Sequence, residues 1–146
     1  MRGIINALLF AMPLMATLSV HAADSPVGRI KTAAHKVVFQ VSDGEPQKWY
    51  LTLSNAKNVQ QDLGIKNVQI EVVVYGPGLD MVLLETEMAE KIDEAIGSGV
   101  KIVACENTMI GRKLTHADIY PAIGYVKAGV VELMKRQREG WAYIRP

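Results

Sequence analysis

Residues 99–109 read GVKIVACENTM, and this stretch decides both the fold class and the candidate chemistry. The apolar run from Val100 to Ala104 predicts a short buried strand, and the more polar residues from Thr108 onward predict a helix. Cys105, the single cysteine of the chain, therefore falls between the two. Open α/β sheets place their ligands at the carboxyl ends of strands, where backbone N–H groups face outward. This position favours a reactive thiol, although free cysteine is also common as a small buried apolar residue.

The patterns on either side of this stretch predict alternating strands and helices. Strands are predicted over 36–41, 68–75, 100–104, 123–126 and 141–144, the last at an edge. Helical segments are predicted over 47–63, 79–84, 86–96 and 128–138. Crossovers of this length imply a single α/β domain with a doubly wound, mostly parallel five-stranded sheet and helices on both faces.

Individual residues refine the helix predictions. Gly64 should end the first long helix, and Thr86 is placed to cap the helix over 86–96. In the last helix, the apolar residues predicted to face the core are Val130, Val131, Leu133 and Met134.

Three predicted turns follow strands that lead into helices, at residues 42–44, 76–78 and 105–107. Because parallel strands point the same way, we expect these turns to lie along one edge of the sheet. Asp43, Gly44, Gly76 and Gly78 are therefore candidate binding residues. Each is also explained simply as a turn former.

The amino terminus has the pattern of a signal peptide. Arg2 gives a positive start, residues 4–20 are almost wholly apolar, and Ala22 ends a small-residue cleavage pattern. We expect a signal peptide over 1–22 cleaved after Ala22, a flexible lead-in over 23–35 and a domain over 36–146. The mature protein would then be periplasmic or secreted without stable membrane insertion, and a leader kept as an anchor is the alternative.

Charge and cysteine content restrict the possible partners. Loss of Arg2 with the leader leaves 15 of the 16 basic residues against 15 acidic residues. This balance gives no electrostatic reason to expect nucleic acid or an anionic membrane as a partner. A lone cysteine in an exported chain cannot form an internal disulfide, so it is free, modified or linked to another molecule.

Several site classes lack their usual signals. Cys105 with His35 and His116 gives no paired-ligand spacing, so no metal is expected. Neither GxGxxG nor GxxxxGK[ST] nor GxSxG occurs, so no nucleotide cofactor or serine-hydrolase site is predicted. The thiol remains as the candidate for chemistry.

Residues 106–117 lack a clean apolar stripe and should cover the strand ends. A helix start and nearby cations lower the pKa of a thiol, and Arg112 lies about two helical turns beyond Cys105. Glu106 would act in the opposite direction. Asn107 would either cap the helix or donate to a sulfur species on Cys105, and His116 would accept a proton if the segment folds back, or else be an ordinary exposed histidine.

Three parts of the chain together resemble the DsrE/DsrF-like family. They are residues 100–109, the strand over 36–41, and the closing segment AGVVEL…Q…GWAYIRP over 128–146. The resemblance implies a five-stranded α/β fold, assembly into trimers or hexamers, and sulfur carried as a cysteine persulfide. Cys105 matches the family's sulfur-bearing cysteine, and its partners would be sulfur donor and acceptor proteins or small sulfane-sulfur compounds. The leader peptide departs from the best understood relay members, which act in the cytoplasm.

Two classes of function stay open. In the first, the chain is a sulfur carrier or sulfurtransferase-like protein with a persulfide on Cys105, and enzymatic turnover is undecided. In the second, it is a non-catalytic small-molecule-binding or oligomeric assembly protein in which Cys105 is structural. A relay needs a thiol that is reachable from outside, whereas a structural cysteine is sealed.

Overall fold

The computed structural model describes residues 35–146, so the predicted signal peptide and the lead-in up to residue 34 lie outside the described part. Five strands form one sheet: β1 (His35–Val41), β2 (Val68–Val74), β3 (Lys101–Cys105), β4 (Gly124–Val126) and β5 (Ala142–Ile144). All neighbouring pairs are parallel, in the order β4-β3-β2-β1-β5. The predicted α/β class is confirmed, with β5 at an edge as expected.

Four α-helices accompany the strands: α1 (Pro46–Leu63), α2 (Ala89–Gly97), α3 (Glu106–Gly111) and α4 (Gly129–Arg138). Short 3-10 helices cover Ile65–Asn67, Gly76–Val82 and His116–Asp118. Helix α1 ends where the sequence predicts, because Gly64 adopts a φ of 85° and donates its N–H to the Gln60 carbonyl. Within the described residues, no helix is both long enough and apolar enough to cross a membrane.

The start of α2 differs from the prediction. The helix begins at Ala89, and Thr86 lies in the turn before it. The Thr86 hydroxyl donates to the Met81 carbonyl at 2.8 Å and accepts the N–H of Met88 at 3.1 Å. Thr86 therefore closes the preceding turn and does not cap the helix.

The two faces of the sheet are covered unequally. One face packs against α1, α2 and the 3-10 helix Gly76–Val82, and it holds most of the core, including Phe39, Val72 and Ile102. The other face packs against α4 in a small cluster of Val38, Val73, Val103 and Leu133. Residues alternate between faces along a strand, so Cys105, two after Val103, belongs to the α4 face.

The prediction for the inner side of α4 was correct only for Leu133. Val130, Val131 and Met134 are 53%, 58% and 52% exposed. The residues that face the sheet are Gly129, Leu133 and Arg136, spaced by four and three. The helix adopts this rotation because Arg136 pairs with a carboxylate buried in the sheet, which turns the valines and methionine outward.

The three segments predicted as turns do lie at one edge, although residues 105–107 form the end of β3 and the start of α3 and are not a turn. Gly78 donates its N–H to the Ser42 carbonyl at 3.2 Å, which joins the ends of β1 and β2. Gly76 donates its N–H to the Thr108 hydroxyl at 3.0 Å, which joins the ends of β2 and β3. The carboxyl ends of these strands thus form one continuous edge beside Cys105.

Candidate functional site

Cys105 is the last residue of β3 and immediately precedes α3, so strand and helix are joined without an intervening turn. The residue is 5% exposed, and its thiol forms no disulfide. The Gly129 N–H, at the start of α4, donates to the sulfur at 3.3 Å. The thiol lies 3.9 Å from the Lys127 carbonyl. The sulfur therefore lies between the amino ends of α3 and α4.

The surroundings of the sulfur favour the thiolate. Burial acts to raise the pKa of Cys105, but the Thr108 hydroxyl and the N–H groups of Gly129, Thr108 and Asn107 outweigh it and hold that pKa below its ordinary value. The Thr108 oxygen already accepts the Gly76 N–H, so the hydroxyl proton is free to donate to sulfur. A thiolate is the nucleophilic form of cysteine.

Gly129 occupies a position where a side chain does not fit. A Cβ there would lie 2.8 Å from Cδ1 of Tyr75, which packs directly on the helix start. The absence of a side chain allows the backbone N–H to approach the sulfur closely.

Asn107 contributes through its backbone. It is the second residue of α3, and no side-chain cap was found at this helix start. Its N–H donates to the Lys127 carbonyl at 3.1 Å and also faces the sulfur. The capping role considered for its side chain does not occur.

Two of the candidate site residues, His116 and Glu106, contact each other. His116 Nε2 lies 3.5 Å from Glu106 Oε1, and its ring stacks on Tyr125 with centroids 3.8 Å apart. Tyr125 is aligned with Ala104 in the sheet, on the face opposite the sulfur. The contacts found for His116 are therefore with Glu106 and Tyr125, and Cys105 is not among them.

The other candidate binding residues differ in how they relate to Cys105. Arg112 pairs with Asp80, and Asp43 accepts from Arg145 with both carboxylate oxygens at 3.2 Å. Gly76 is linked to the sulfur site through Thr108.

The remaining two glycines pack between turns. Gly44 lies beside Pro77, and Gly78 packs on the backbone of Val41.

Sequence reasoning missed Thr108, Gly129 and Tyr75. A hydroxyl three residues after the cysteine, within a predicted helix start, is a usable signal for Thr108. A glycine opening the last helix is a weaker signal for Gly129. Nothing local in the sequence places either Gly129 or Tyr75 near Cys105.

A groove of about 250 Å³ lies away from this site, between α1 and α2. Its lining includes Leu53, Ile65 and Val100, so it lies toward the amino ends of the strands. Among residues 35–146, no group of three histidine, cysteine or acidic side chains is arranged to hold a metal ion.

The fold and site define a small parallel α/β domain. At the carboxyl edge of its sheet lies a cysteine whose thiolate form is stabilised by its surroundings. Residues 35–146 match the model of the DsrE/DsrF-like family, and the chain belongs to that family. No curated protein was found to match the chain.

Three solved structures share this fold. A protein of unknown function, MTH1491 from Methanobacterium thermoautotrophicum, is 35% identical with a TM-score of 0.73, over 77% of this chain and 99% of that one. BT1422 from Bacteroides thetaiotaomicron, also of unknown function, is 16% identical with a TM-score of 0.65, over 80% and 98%. The ychN protein from E. coli is 10% identical with a TM-score of 0.62, over 77% and 99%. The last two show similarity of fold alone.

Proposed function

We propose that this protein carries sulfane sulfur as a persulfide on Cys105, as a periplasmic sulfur carrier or sulfurtransferase-like protein. Its family suggests a sulfur-relay-like role. The observation that carries the assignment to Cys105 is the set of donors directed at its sulfur, led by the Gly129 N–H at 3.3 Å.

The chemistry needs no external oxidant or reductant. The Cys105 thiolate attacks the outer sulfur of a donor persulfide, R–S–SH, so that a new S–S bond forms and the donor's S–S bond breaks. The electron pair of the broken bond leaves with the donor as its thiolate, R–S⁻, which then takes a proton from water. In the return step an acceptor thiolate attacks the outer sulfur and Cys105 leaves as a thiolate, which the same N–H groups stabilise.

The proposed chemistry requires that a sulfur donor can reach the Cys105 sulfur. Cys105 is 5% exposed, and the Lys127 carbonyl, in the two-residue connection between β4 and α4, lies 3.9 Å from its sulfur. In this proposal the two-residue connection moves aside to admit a persulfide or polysulfide. The Lys127 carbonyl makes only a weak contact with the thiol, at 3.9 Å, but it also accepts the Asn107 N–H at 3.1 Å, so the movement breaks one backbone hydrogen bond.

The burial of Cys105 favours a second candidate function. A sealed cysteine suits a non-catalytic small-molecule-binding or oligomeric assembly protein in which the thiol only fills space. The two candidates differ in whether the sulfur is modified while the protein stays folded.

The proposed setting follows the sequence. We place the mature protein in the periplasm after cleavage following Ala22, where it would meet sulfur donor and acceptor proteins or small sulfane-sulfur compounds. We also propose a homotrimer or homohexamer, supported by the exposed apolar side chains of α4.

Intact-mass spectrometry of the exported protein tests this function and its location together. The expected mass is that of a chain beginning at Ala23, and incubation with polysulfide should add the mass of one or more sulfur atoms on Cys105. The physical reason is that N–H donors keep Cys105 as a thiolate, which attacks sulfane sulfur, whereas a buried thiol without such donors stays protonated and unreactive.

Cys105→Ser is the matched control and should remain folded without gaining sulfur. If the folded wild type gains none while the denatured chain does, the thiol is sealed and the structural role is correct. A mass that retains residues 1–22 would contradict the cleavage.

A further inference from the structure

Glu71 places a carboxylate at the centre of the sheet, where the proposed sulfur chemistry does not use it. Its side chain is 0% exposed, in β2 on the face packed by α4. A buried carboxylate is strongly unfavourable unless it is paired and hydrogen-bonded. Burial acts to raise the pKa of Glu71, but Arg136 and Lys101 outweigh it and keep the pKa below its ordinary value. The position therefore requires its partners.

Arg136 of α4 supplies a two-pronged contact to this carboxylate. Its Nε donates to one oxygen at 3.1 Å and its Nη2 to the other at 2.7 Å, a geometry that fixes direction as well as distance. Lys101 of β3 lies 3.0 Å from the second oxygen. The guanidinium is further held by Glu132 and Glu139, each at 3.0 Å, and by the Trp141 ring, whose centroid is 4.7 Å away.

The same helix carries Gly129 at its other end. Gly129 and Arg136 are two turns apart, about 10 Å along the axis. Between them, Leu133 is the buried apolar contact of α4 with the sheet, and the outward side of the helix is exposed. Any rotation or slide of α4 therefore changes the distance between the Gly129 N–H and the Cys105 sulfur.

We propose that Glu71 and Arg136 are positioning residues, whose ion pair fixes α4 on the sheet and so keeps the Gly129 N–H directed at the Cys105 sulfur. This inference rests on the proposed function in one respect: a sulfur carrier needs a thiolate, and that need explains why the position of α4 matters. The test measures only the pKa of the Cys105 thiol and does not depend on sulfur uptake.

The sign of the effect separates positioning from a simple field effect. Removing the negative charge in Glu71→Gln would, through the field alone, make the thiolate easier to form and lower the Cys105 pKa. Loss of position withdraws the N–H donor and raises that pKa. Arg136→Gln raises it by either route. Positioning therefore predicts that both variants raise the pKa, whereas a field effect predicts opposite directions.

The measurement is the pH dependence of iodoacetamide alkylation, with circular dichroism to confirm folding. At mildly acidic pH we expect both variants to react roughly three to ten times more slowly than wild type, as for weakening one charge-assisted hydrogen bond. The Gly129 amide cross-peak in NMR should follow Cys105 ionisation in wild type and lose that response in Glu71→Gln. Opposite shifts, or no shift in either variant, would overturn the proposal.

Two further variants keep the test decisive. Arg138→Gln removes the same charge from an exposed position of α4, and an effect as large as that of Arg136→Gln would count against positioning. If Glu71→Gln does not fold, Arg136→Lys keeps the charge but not the planar fork, so a raised pKa there supports geometry and a wild-type pKa overturns it.

The outcome is separable from that of the proposed function. If the wild type takes up no sulfur but the variants have a raised Cys105 pKa, the carrier function is wrong and the positioning role is supported. If the wild type takes up sulfur but the variants have an unchanged Cys105 pKa, the carrier function is supported and the positioning role is wrong.

Discussion

Burial ordinarily makes a thiol harder to ionise, because a thiolate loses its hydration in an apolar surrounding. Cys105 departs from this because hydrogen-bond donors from two helix starts and one hydroxyl replace the lost water. Thr108 contributes one of these donors, and its hydroxyl oxygen also accepts the Gly76 N–H. Removing this one hydroxyl should therefore weaken the stabilisation of the Cys105 thiolate.

We predict that Thr108→Val raises the pKa of Cys105. Valine keeps the shape of threonine but removes the hydroxyl, which is both the donor to sulfur and the acceptor of the Gly76 N–H, and a hydrogen bond to a charged group is worth about 1.5–3 kcal/mol. The folded-state pKa is lowered in wild type, so the reactive thiolate persists below the pH at which an ordinary thiol is protonated. In the variant this advantage is lost, and alkylation at mildly acidic pH should slow about tenfold.

Thr108→Ser retains the hydroxyl and is the matched control, expected to react at nearly the wild-type rate. Equal rates for the valine and serine variants would show that the hydroxyl has no influence on the thiolate.

At the scale of the elements, the edge that holds Cys105 depends on a close backbone contact between the ends of β1 and β2. A Cβ on Gly78 would lie 2.5 Å from the Val41 carbonyl oxygen, which belongs to rigid backbone. Gly78 therefore allows the 3-10 helix Gly76–Val82 to pack against β1, and this places Gly76 within reach of Thr108.

Gly78→Ala should destabilise the protein by about 1–3 kcal/mol, because the methyl group forces the two strand ends apart. Urea unfolding followed by circular dichroism measures the change. Gly97→Ala is the matched control: nothing lies within 4 Å of a Cβ at Gly97, and it ends α2. Alanine should be neutral there or add up to about 1 kcal/mol. Equal stabilities for the two variants would contradict the close-packing argument.

The elements themselves were predictable because their signals are local. Apolar runs mark β1 to β3, Gly64 stops α1, and parallel strands necessarily bring their following turns to one edge. The rotation of α4 was not predictable, since it is set by a pair 65 residues apart, Glu71 and Arg136.

The same limit applies to the site. Cys105 was identifiable from its position after an apolar run, but the N–H donor at Gly129 lies 24 residues away in sequence. Only the packing of α4 on the sheet brings them together. For His116 the sequence left open a proton acceptor for the thiol or an ordinary exposed histidine, and its stacking on Tyr125 shows how an aromatic partner can decide where a ring lies.

At the scale of the whole molecule, the exposed side of α4 is the feature that a second copy would cover. Val130, Val131 and Met134 are each more than half exposed and lie on one helix. Exposed apolar patches on soluble proteins commonly mark interaction surfaces. The mature chain predicted from the sequence has balanced charge, so little long-range repulsion opposes contact between copies.

We predict that the mature protein is larger than a monomer in light scattering and that Val131→Glu shifts it toward the monomer. A buried carboxylate at an interface is unfavourable, whereas in the free helix the introduced carboxylate would pair with Lys135 one turn later, so the variant should stay folded. Leu51→Glu, at a residue of α1 that is 48% exposed, is the matched control and should leave the assembly intact. A wild type that stays monomeric at every concentration would contradict the trimer and hexamer, and dissociation by the Leu51 variant alone would move the interface from α4 to α1.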